Sequence, residues 1–211
     1  MSTKKHPPQP AGLRPDLAVI ASLITPGARV LDIGCGDGQL LGWLRDEKRV
    51  DGRGIEIDQQ QVHRAIANGI SVIQGDVVSD LPHYPDHSYD YVILSQTLQA
   101  MTDPVAVLNQ LVRIGRKAII SVPNFGHWKN RLYLAVFGKM PVTKTLSYQW
   151  YDTPNIHFCT ITDFVILAEK LGIAIEDRIV VDEAGGRSKF TGHGLWANLF
   201  GQQGVFLLSK S

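Results

Sequence analysis

The sequence from Arg29 to Gln39, RVLDIGCGDGQ, restricts the fold more than any other part of the chain. It begins with an apolar run that shows no alternation, which is typical of a strand buried on both faces. Gly34, Gly36 and Gly38 follow, and leucines then return at helical spacing. We therefore predict a buried strand, a tight loop and a helix. The glycines let a ligand approach the backbone, and the N–H groups at the start of the helix favour a small anionic or zwitterionic ligand.

An acidic residue lies in or just after each of three successive predicted strands: Asp32, Glu56 and Asp76. Glu56 follows the glycine loop at close to the roughly 20-residue separation at which doubly wound folds bring a carboxylate to a ribose. We expect Glu56 to be an exposed carboxylate that accepts hydrogen bonds from both ribose hydroxyls. Each acidic residue alone could equally be a helix cap or a turn residue, but the ordered set is much more specific.

The glycine spacing separates two classes of nucleotide ligand. The dinucleotide fingerprint G-x-G-x-x-G requires glycine or alanine at position 39, where this chain has Gln39. Binding of NAD, and with it a nicotinamide oxidoreductase, is therefore the least favoured function. Instead, the residues from Val30 to Gly38 resemble motif I of the class I methyltransferases that depend on S-adenosylmethionine (SAM), written h-h-D-x-G-x-G-x-G, where h is apolar.

That resemblance implies a Rossmann-like α/β fold, with a seven-stranded, mostly parallel sheet and helices on both faces. The last strand is expected to be antiparallel and to lie between strands five and six. The resemblance also implies SAM, or its demethylated product S-adenosylhomocysteine (SAH), as cofactor, with Asp32 holding the amino group and Asp76 meeting the adenine amine. The residues expected at the cofactor are Asp32, Gly34, Cys35, Gly36, Gly38, Glu56, Ile57, Asp76, Val77, Ser95 and Gln96.

The composition predicts one domain and argues against several classes of partner. The 211 residues include 21 basic and 20 acidic side chains without a charge block, which leaves no footprint for nucleic acid or a membrane surface. The two cysteines have no metal or redox spacing, and His83 and His87 flank a proline, so we predict no metal site and a cytoplasmic protein. Residues 1–12 are predicted to form a flexible arm, and residues 13–211 a single domain.

A long insertion, at about residues 124–159, interrupts the alternation of strands and helices. It holds a predicted amphipathic helix with Trp128, Leu132 and Val136, followed by an aromatic cluster. Connections in α/β folds usually span about 2–6 residues, so we expect the insertion to be a lid or a partner surface. Trp150 and Tyr151 could be core residues, but their polar neighbours favour contact with a substrate or partner. The glycine-rich loop at residues 183–194 is predicted to be mobile.

Two histidines, His127 and His157, are the candidate proton acceptors near the expected acceptor site. Neither belongs to a recognisable catalytic motif. Methyl transfer from a sulfonium depends on positioning and desolvation, and it requires a base only when the acceptor must lose a proton. The catalytic residues therefore stay unassigned, and His157 is also a candidate for contact with a substrate or partner.

Five short motifs carry a closer resemblance than motif I alone. They are RPDL from Arg14, LDIGCGDG from Leu31, SQTL from Ser95, VPNF from Val122 and WYDTPNIH from Trp150. Together they resemble the MetW family of methionine biosynthesis proteins, over residues 13–184. The resemblance implies a SAM-binding, methyltransferase-like protein that is an accessory or regulatory partner of homoserine O-acyltransferase. An active SAM-dependent methyltransferase with an unidentified small-molecule acceptor is the alternative.

Overall fold

The computed structural model describes residues 12–143, 146, 148–182, 185–192 and 194–210, so residues 1–11 of the predicted arm lie outside the described residues. In these ranges the chain forms one sheet of eight strands, in the order β3-β2-β1-β4-β5-β8-β6-β7. The strands are β1 Arg29–Ile33, β2 Asp51–Glu56, β3 Ser71–Gln74, β4 Tyr89–Ser95, β5 Gly115–Pro123, β6 Ile173–Val181, β7 Arg187–Lys189 and β8 Gln203–Lys210. The helices are α1 Pro15–Leu23, α2 Gln39–Lys48, α3 Gln59–Ala67, α4 Val77–Asp80, α5 Pro104–Ile114, α6 Trp128–Phe137, α7 Ile161–Lys170 and α8 Leu195–Phe200, with 3₁₀ turns at Leu81–His83 and Leu98–Ala100.

The strand order confirms the predicted α/β sheet. Strands β1 to β5 run parallel, and β8 lies antiparallel between β5 and β6. The sheet has eight strands rather than the predicted seven, because β7 pairs antiparallel with the end of β6. This short strand lies in the loop that was predicted to be mobile. Its Arg-Ser-Lys sequence has no apolar pattern, and only the backbone pairing with β6 defines it.

Helices cover both faces of the sheet, as predicted. Side chains alternate along a strand, so Leu31 and Ile33 of β1 pack on one face with residues of α5 and α7. Val30 packs on the other face with residues of α1 and α2. The carboxyl ends of the parallel strands, where doubly wound sheets bind ligands, then lead into the loops that form the candidate site.

The insertion between β5 and α7 contains the predicted helix, but this helix does not pack as an amphipathic element. The buried residue of α6 is Asn130, whereas Leu132 is 53% exposed and Val136 is 63% exposed. The apolar stripe therefore faces solvent. The sheet offers it no surface, because α5 and α7 cover one face and α1, α2 and α3 pack on the other.

Hydrogen bonds tie the insertion to the rest of the fold at two places. The buried side chain of Asn124 donates to the carbonyl oxygens of Asn198 and Gly201, at 2.7 Å each. Farther along the chain, the N–H groups of Ile156 and His157 donate to the carbonyl oxygen of Gln99, at 2.9 and 3.0 Å. The aromatic end of the insertion is thereby attached to the 3₁₀ turn that follows β4.

Candidate functional site

The glycine loop between β1 and α2 has the backbone that its sequence predicts. Gly34, Gly36 and Gly38 have φ values of 70°, 57° and 79°, a region that glycine adopts without the steric cost of a Cβ. The N–H group of Gly34 donates to the carbonyl oxygen of Ile55 at 2.8 Å, which holds the loop against β2. A Cβ on Gly34 would also lie 3.0 Å from the hydroxyl oxygen of Thr97. The strand, loop and helix are therefore where the sequence puts them.

Two cavities that share Gly34 open at the carboxyl ends of the parallel strands. The larger, of about 510 Å³, is lined by Gly34, Ile55, Glu56, Ile57, Asp76, Val77, Val78, Thr97, Ala100, Met101 and Thr102. The smaller, of about 140 Å³, is lined by Arg14, Leu17, Asp32, Gly34, Cys35, Gly36, Asp37, Gln39, Leu40 and Ser95. Of the residues predicted at the cofactor, Gly38 and Gln96 are absent from both linings in the described chain.

Glu56 is buried, with 9% of its surface exposed, and is not the exposed strand-end carboxylate that we expected. One carboxylate oxygen accepts from the N–H group of Gly36 at 2.8 Å. The other accepts from the N–H groups of Ile57 and Asp58, at 2.9 and 3.0 Å. A carboxylate has about four acceptor positions, so roughly one remains for a ligand. Glu56 thus joins the glycine loop to the end of β2, and its bonds shape both cavities.

Asp32 is the carboxylate whose pKa departs most clearly from its ordinary value. The residue is 3% exposed. Burial raises the pKa of its carboxyl group from 3.8 to about 7, against the lowering effect of the Arg14 guanidinium, and Glu56 adds to the rise. A cationic group beside Asp32 would favour the ionised form. Asp32 and Arg14 both line the smaller cavity, which therefore presents one acidic and one basic group, the complement of a zwitterion.

A third buried carboxylate, that of Asp16, was not identified as a site residue from the sequence. It is fully buried at the start of α1. Its Oδ2 accepts from the Arg14 guanidinium at 3.1 Å, from the Ser95 hydroxyl at 3.1 Å and from the side-chain amide of Gln96 at 3.0 Å. This network holds Arg14 and Ser95 at the wall of the smaller cavity and turns Gln96 toward α1. The RPDL motif was the available signal, because it puts an aspartate where an apolar helix begins.

The larger cavity combines apolar walls with an acidic rim. Asp76 caps α4, and its side chain accepts from the N–H group of Val78 at 3.0 Å. Ile57 is 69% exposed, whereas Val77 is buried. Thr97, which belongs to the SQTL motif, completes the lining from the loop after β4 together with Met101 and Thr102, which sequence reasoning did not single out. Apolar walls with a few placed polar groups are typical of sites that bind a small molecule or a cofactor.

The described part of the chain holds no reactive thiol at the glycine loop and no metal cluster. Burial, helped by the carboxylates of Asp32 and Glu56, raises the pKa of the Cys35 thiol to about 12, so the thiol is protonated at neutral pH. No group of three or more histidine, cysteine, aspartate or glutamate residues in this part could hold a metal ion. No described helix combines the length and the apolar character needed to cross a membrane.

The residues proposed for catalysis or for contact with a substrate or partner lie elsewhere. His127 is buried and caps α6, where its ring accepts from the N–H group of Lys129. His157 lines a separate cavity of about 220 Å³. Trp150 and Tyr151 are each 71% exposed and meet edge to face, with 5.7 Å between their ring centroids. Among the described residues, no histidine lines either cavity at the glycine loop.

Comparison with known proteins identifies the family. The sequence matches the family model described as methionine biosynthesis protein MetW over residues 14–208. The chain belongs to the MetW family. A relative from Rhodopirellula baltica, named bifunctional methionine biosynthesis protein MetXA/MetW, is 37% identical over 191 residues. The match covers 85% of this chain but 31% of that relative, so this MetW sequence spans about a third of the bifunctional protein.

The fold of this MetW family member is that of class I methyltransferases, as motif I predicts. A SAM-dependent methyltransferase from Thermotoga maritima, described as a possible histamine N-methyltransferase, superposes with a TM-score of 0.65 at 18% identity. The superposition covers 93% of this chain and 87% of that one. A demethylmenaquinone methyltransferase from Listeria welshimeri is 28% identical over 156 residues, which cover 64% of this chain and 65% of that relative.

Proposed function

We propose that this chain binds SAM or SAH in the two cavities at the glycine loop and is an accessory, regulatory partner of homoserine O-acyltransferase in methionine synthesis. The observation that carries the partnership is the bifunctional relative, whose name joins MetXA to MetW in one protein. A covalent link holds two modules at a high effective concentration. When the modules are separate chains, a complementary surface is needed to hold them together.

The zwitterionic end of the cofactor fits the smaller cavity. Arg14 would pair with its carboxylate, and Asp32 would accept hydrogen bonds from its ammonium group. The raised pKa of Asp32 supports this fit, because a buried carboxylate is costly until a cation compensates it. The bound cofactor supplies a methyl group if an acceptor is present. Because SAM is made from methionine, it is also suited to report the output of the pathway.

The adenosine part fits the larger cavity. Glu56 keeps about one acceptor position beyond its three backbone bonds, so we propose that it accepts one ribose hydroxyl rather than the two that we first expected. Ile57 and Val77 would flank the adenine ring, and Asp76 would accept from the adenine amine. The acceptor groups of the site are then matched to donors on the ligand.

The insertion supplies the surface that we propose for the acyltransferase. Its exposed apolar side chains, called the insertion surface, are Trp128, Leu132, Val136, Phe137, Trp150 and Tyr151. A helix that is apolar on its exposed side, as α6 is, is normally covered by another structure. Met140 and Pro141, which follow α6, line a small cavity together with Trp150. The segment that follows the helix therefore lies close to the aromatic segment, and we propose that one partner covers both the helix and the aromatic segment.

Co-purification with the homoserine O-acyltransferase of the same organism tests the partnership. The unchanged protein is expected to retain the tagged enzyme, and Val136→Glu is expected to weaken retention by at least about tenfold, because it places a charge in an apolar interface. Ile66→Glu is the matched control, since Ile66 is also apolar and 57% exposed but lies on α3, outside the insertion. If the unchanged protein retains no enzyme, the partnership is wrong. If both variants behave like the unchanged protein, the insertion surface is wrong.

An active small-molecule methyltransferase is the second candidate function. The observation that favours it is the similarity to relatives named demethylmenaquinone methyltransferase. The two functions differ in one measurable product. SAM incubated with the protein, its partner and cell extract forms SAH above the background of a Gly36→Val variant only if the protein transfers methyl groups. Gly36 has a φ of 57°, so valine is strained there and should close the site.

A further inference from the structure

A cavity of about 220 Å³ lies between the start of α5, helix α7 and the end of the insertion. Leu98 and Phe164 form its buried floor, and the exposed residues Val105 and His157 stand at its rim. An apolar cavity of about 150 Å³ is large enough to hold benzene. This cavity therefore has room for one ring with a substituent.

Gln99 gives the cavity its one unusual feature. The residue lines the cavity and is 3% exposed. Within the described residues, neither the nitrogen nor the oxygen of its side-chain amide has a hydrogen-bond partner. Its backbone is fixed, because its carbonyl oxygen accepts from the N–H groups of Ile156 and His157. Buried polar groups are nearly always hydrogen-bonded. A ligand that both accepts from and donates to this amide would satisfy it.

The charges around the cavity favour a neutral ligand. Asp163 lines it, and its carboxylate accepts from the backbone N–H and the hydroxyl of Thr160 at 3.0 and 2.8 Å. Burial raises the pKa of the Cys159 thiol to about 12, so this neighbour is neutral. Neither lysine nor arginine is among the described residues that line the cavity. An anionic ligand would therefore face the Asp163 carboxylate without a lysine or arginine in the described lining to compensate it.

We propose that this cavity is a second ligand site, which binds a small neutral molecule composed of one apolar ring and a carboxamide group that pairs with the side-chain amide of Gln99. The site is distinct from the cavities at the glycine loop. The 3₁₀ turn Leu98–Ala100 separates them, since Ala100 lines the larger of those cavities whereas Leu98 and Gln99 line this one. The ring lies against Leu98, Phe164 and Leu167.

Titration with benzamide, benzoate and toluene, followed by NMR, tests the proposal. Benzamide is expected to shift the side-chain NH₂ signals of Gln99, which are assigned by their loss in Gln99→Leu. Its affinity should exceed that of benzoate and should fall by about tenfold in Gln99→Leu, whereas toluene should bind both proteins equally well. Saturating SAH should leave the benzamide affinity unchanged, which separates this site from the cofactor cavities.

Leu167→Trp is the second variant, because it fills the cavity from α7 without touching the glycine loop. It should abolish binding of benzamide and toluene and leave the affinity for SAH unchanged. Thermal unfolding of both variants checks that they are folded. The proposal is overturned if benzamide causes no shift at Gln99, as expected if water alone satisfies the amide, or if it binds equally well to Gln99→Leu.

Discussion

Asp32→Asn should stabilise the protein and at the same time abolish cofactor binding. Burial raises the pKa of the Asp32 carboxyl group from 3.8 to about 7. At about 1.4 kcal/mol per pKa unit, keeping this group ionised in the folded protein above pH 7 costs about 4 kcal/mol. Asparagine has nearly the same shape and carries no charge, so it removes this cost. The loss of the carboxylate removes the partner that we propose for the ammonium group of SAM.

The pH dependence of the gain identifies its cause. Because the folded protein binds the Asp32 proton more tightly than the unfolded chain does, the stability of the unchanged protein falls as pH rises from about 4 to about 7. The Asp32→Asn variant has no carboxyl group at this position, so it does not lose stability in this way as pH rises. Its advantage in the free energy of unfolding should therefore grow from near zero at pH 4 to about 4 kcal/mol above pH 7.

Urea unfolding at several pH values, combined with calorimetric titration of SAH, measures both effects. Asp51→Asn is the matched control, because Asp51 is an exposed aspartate at the start of β2, at the end of the strand away from the glycine loop. Its replacement should leave stability and SAH affinity unchanged. An advantage of Asp32→Asn that does not vary with pH, or a variant that still binds SAH normally, would refute the reasoning.

Three further predictions concern the same site and the insertion. Glu56→Ala leaves backbone N–H groups such as that of Gly36 unpaired, so it should lower the free energy of unfolding, measured in urea, by at least about 2 kcal/mol. If Glu56 only bound the ligand, the stability of the unliganded protein would not change. SAH affinity of the unchanged protein, by calorimetry, should rise by up to about tenfold per pH unit between pH 5 and 7, as Asp32 ionises, and then level off. Trp150→Ala and Tyr151→Ala should each weaken retention of the acyltransferase in pull-down assays and leave SAH affinity unchanged.

Local sequence signals correctly predicted the strand, the glycine loop and the helix that follows it. An apolar run, three glycines and a renewed helical spacing lie within about a dozen residues, and the conformation of each glycine follows from its missing Cβ. The order of the strands also followed from the family resemblance. These features depend on residues that are neighbours in the sequence, or on a topology shared by the family. A sequence motif therefore contains the information needed to predict them.

The features that the sequence did not predict depend on distant partners. Asp16 meets Ser95 and Ser121, which are 79 and 105 positions away. Glu56 is buried because it accepts from Gly36, which is 20 positions away. The periodicity of α6 predicted an apolar stripe correctly, but periodicity does not say which surface covers that stripe. β7 has no apolar pattern of its own and forms because an edge strand is present for pairing.

The rate of homoserine O-acyltransferase during a SAM titration, with and without this protein, tests the central claim most directly. Regulation requires SAM to bind the free and the complexed forms with different affinity, and a coupling of about 1–3 kcal/mol is ordinary. We predict that this protein changes the rate of the enzyme. We also predict that saturating SAM changes the apparent affinity of this protein for the enzyme by about 5–150-fold. Asp32→Asn should keep the effect of the protein and lose its response to SAM. A rate that is the same with and without this protein at every SAM concentration would contradict the account.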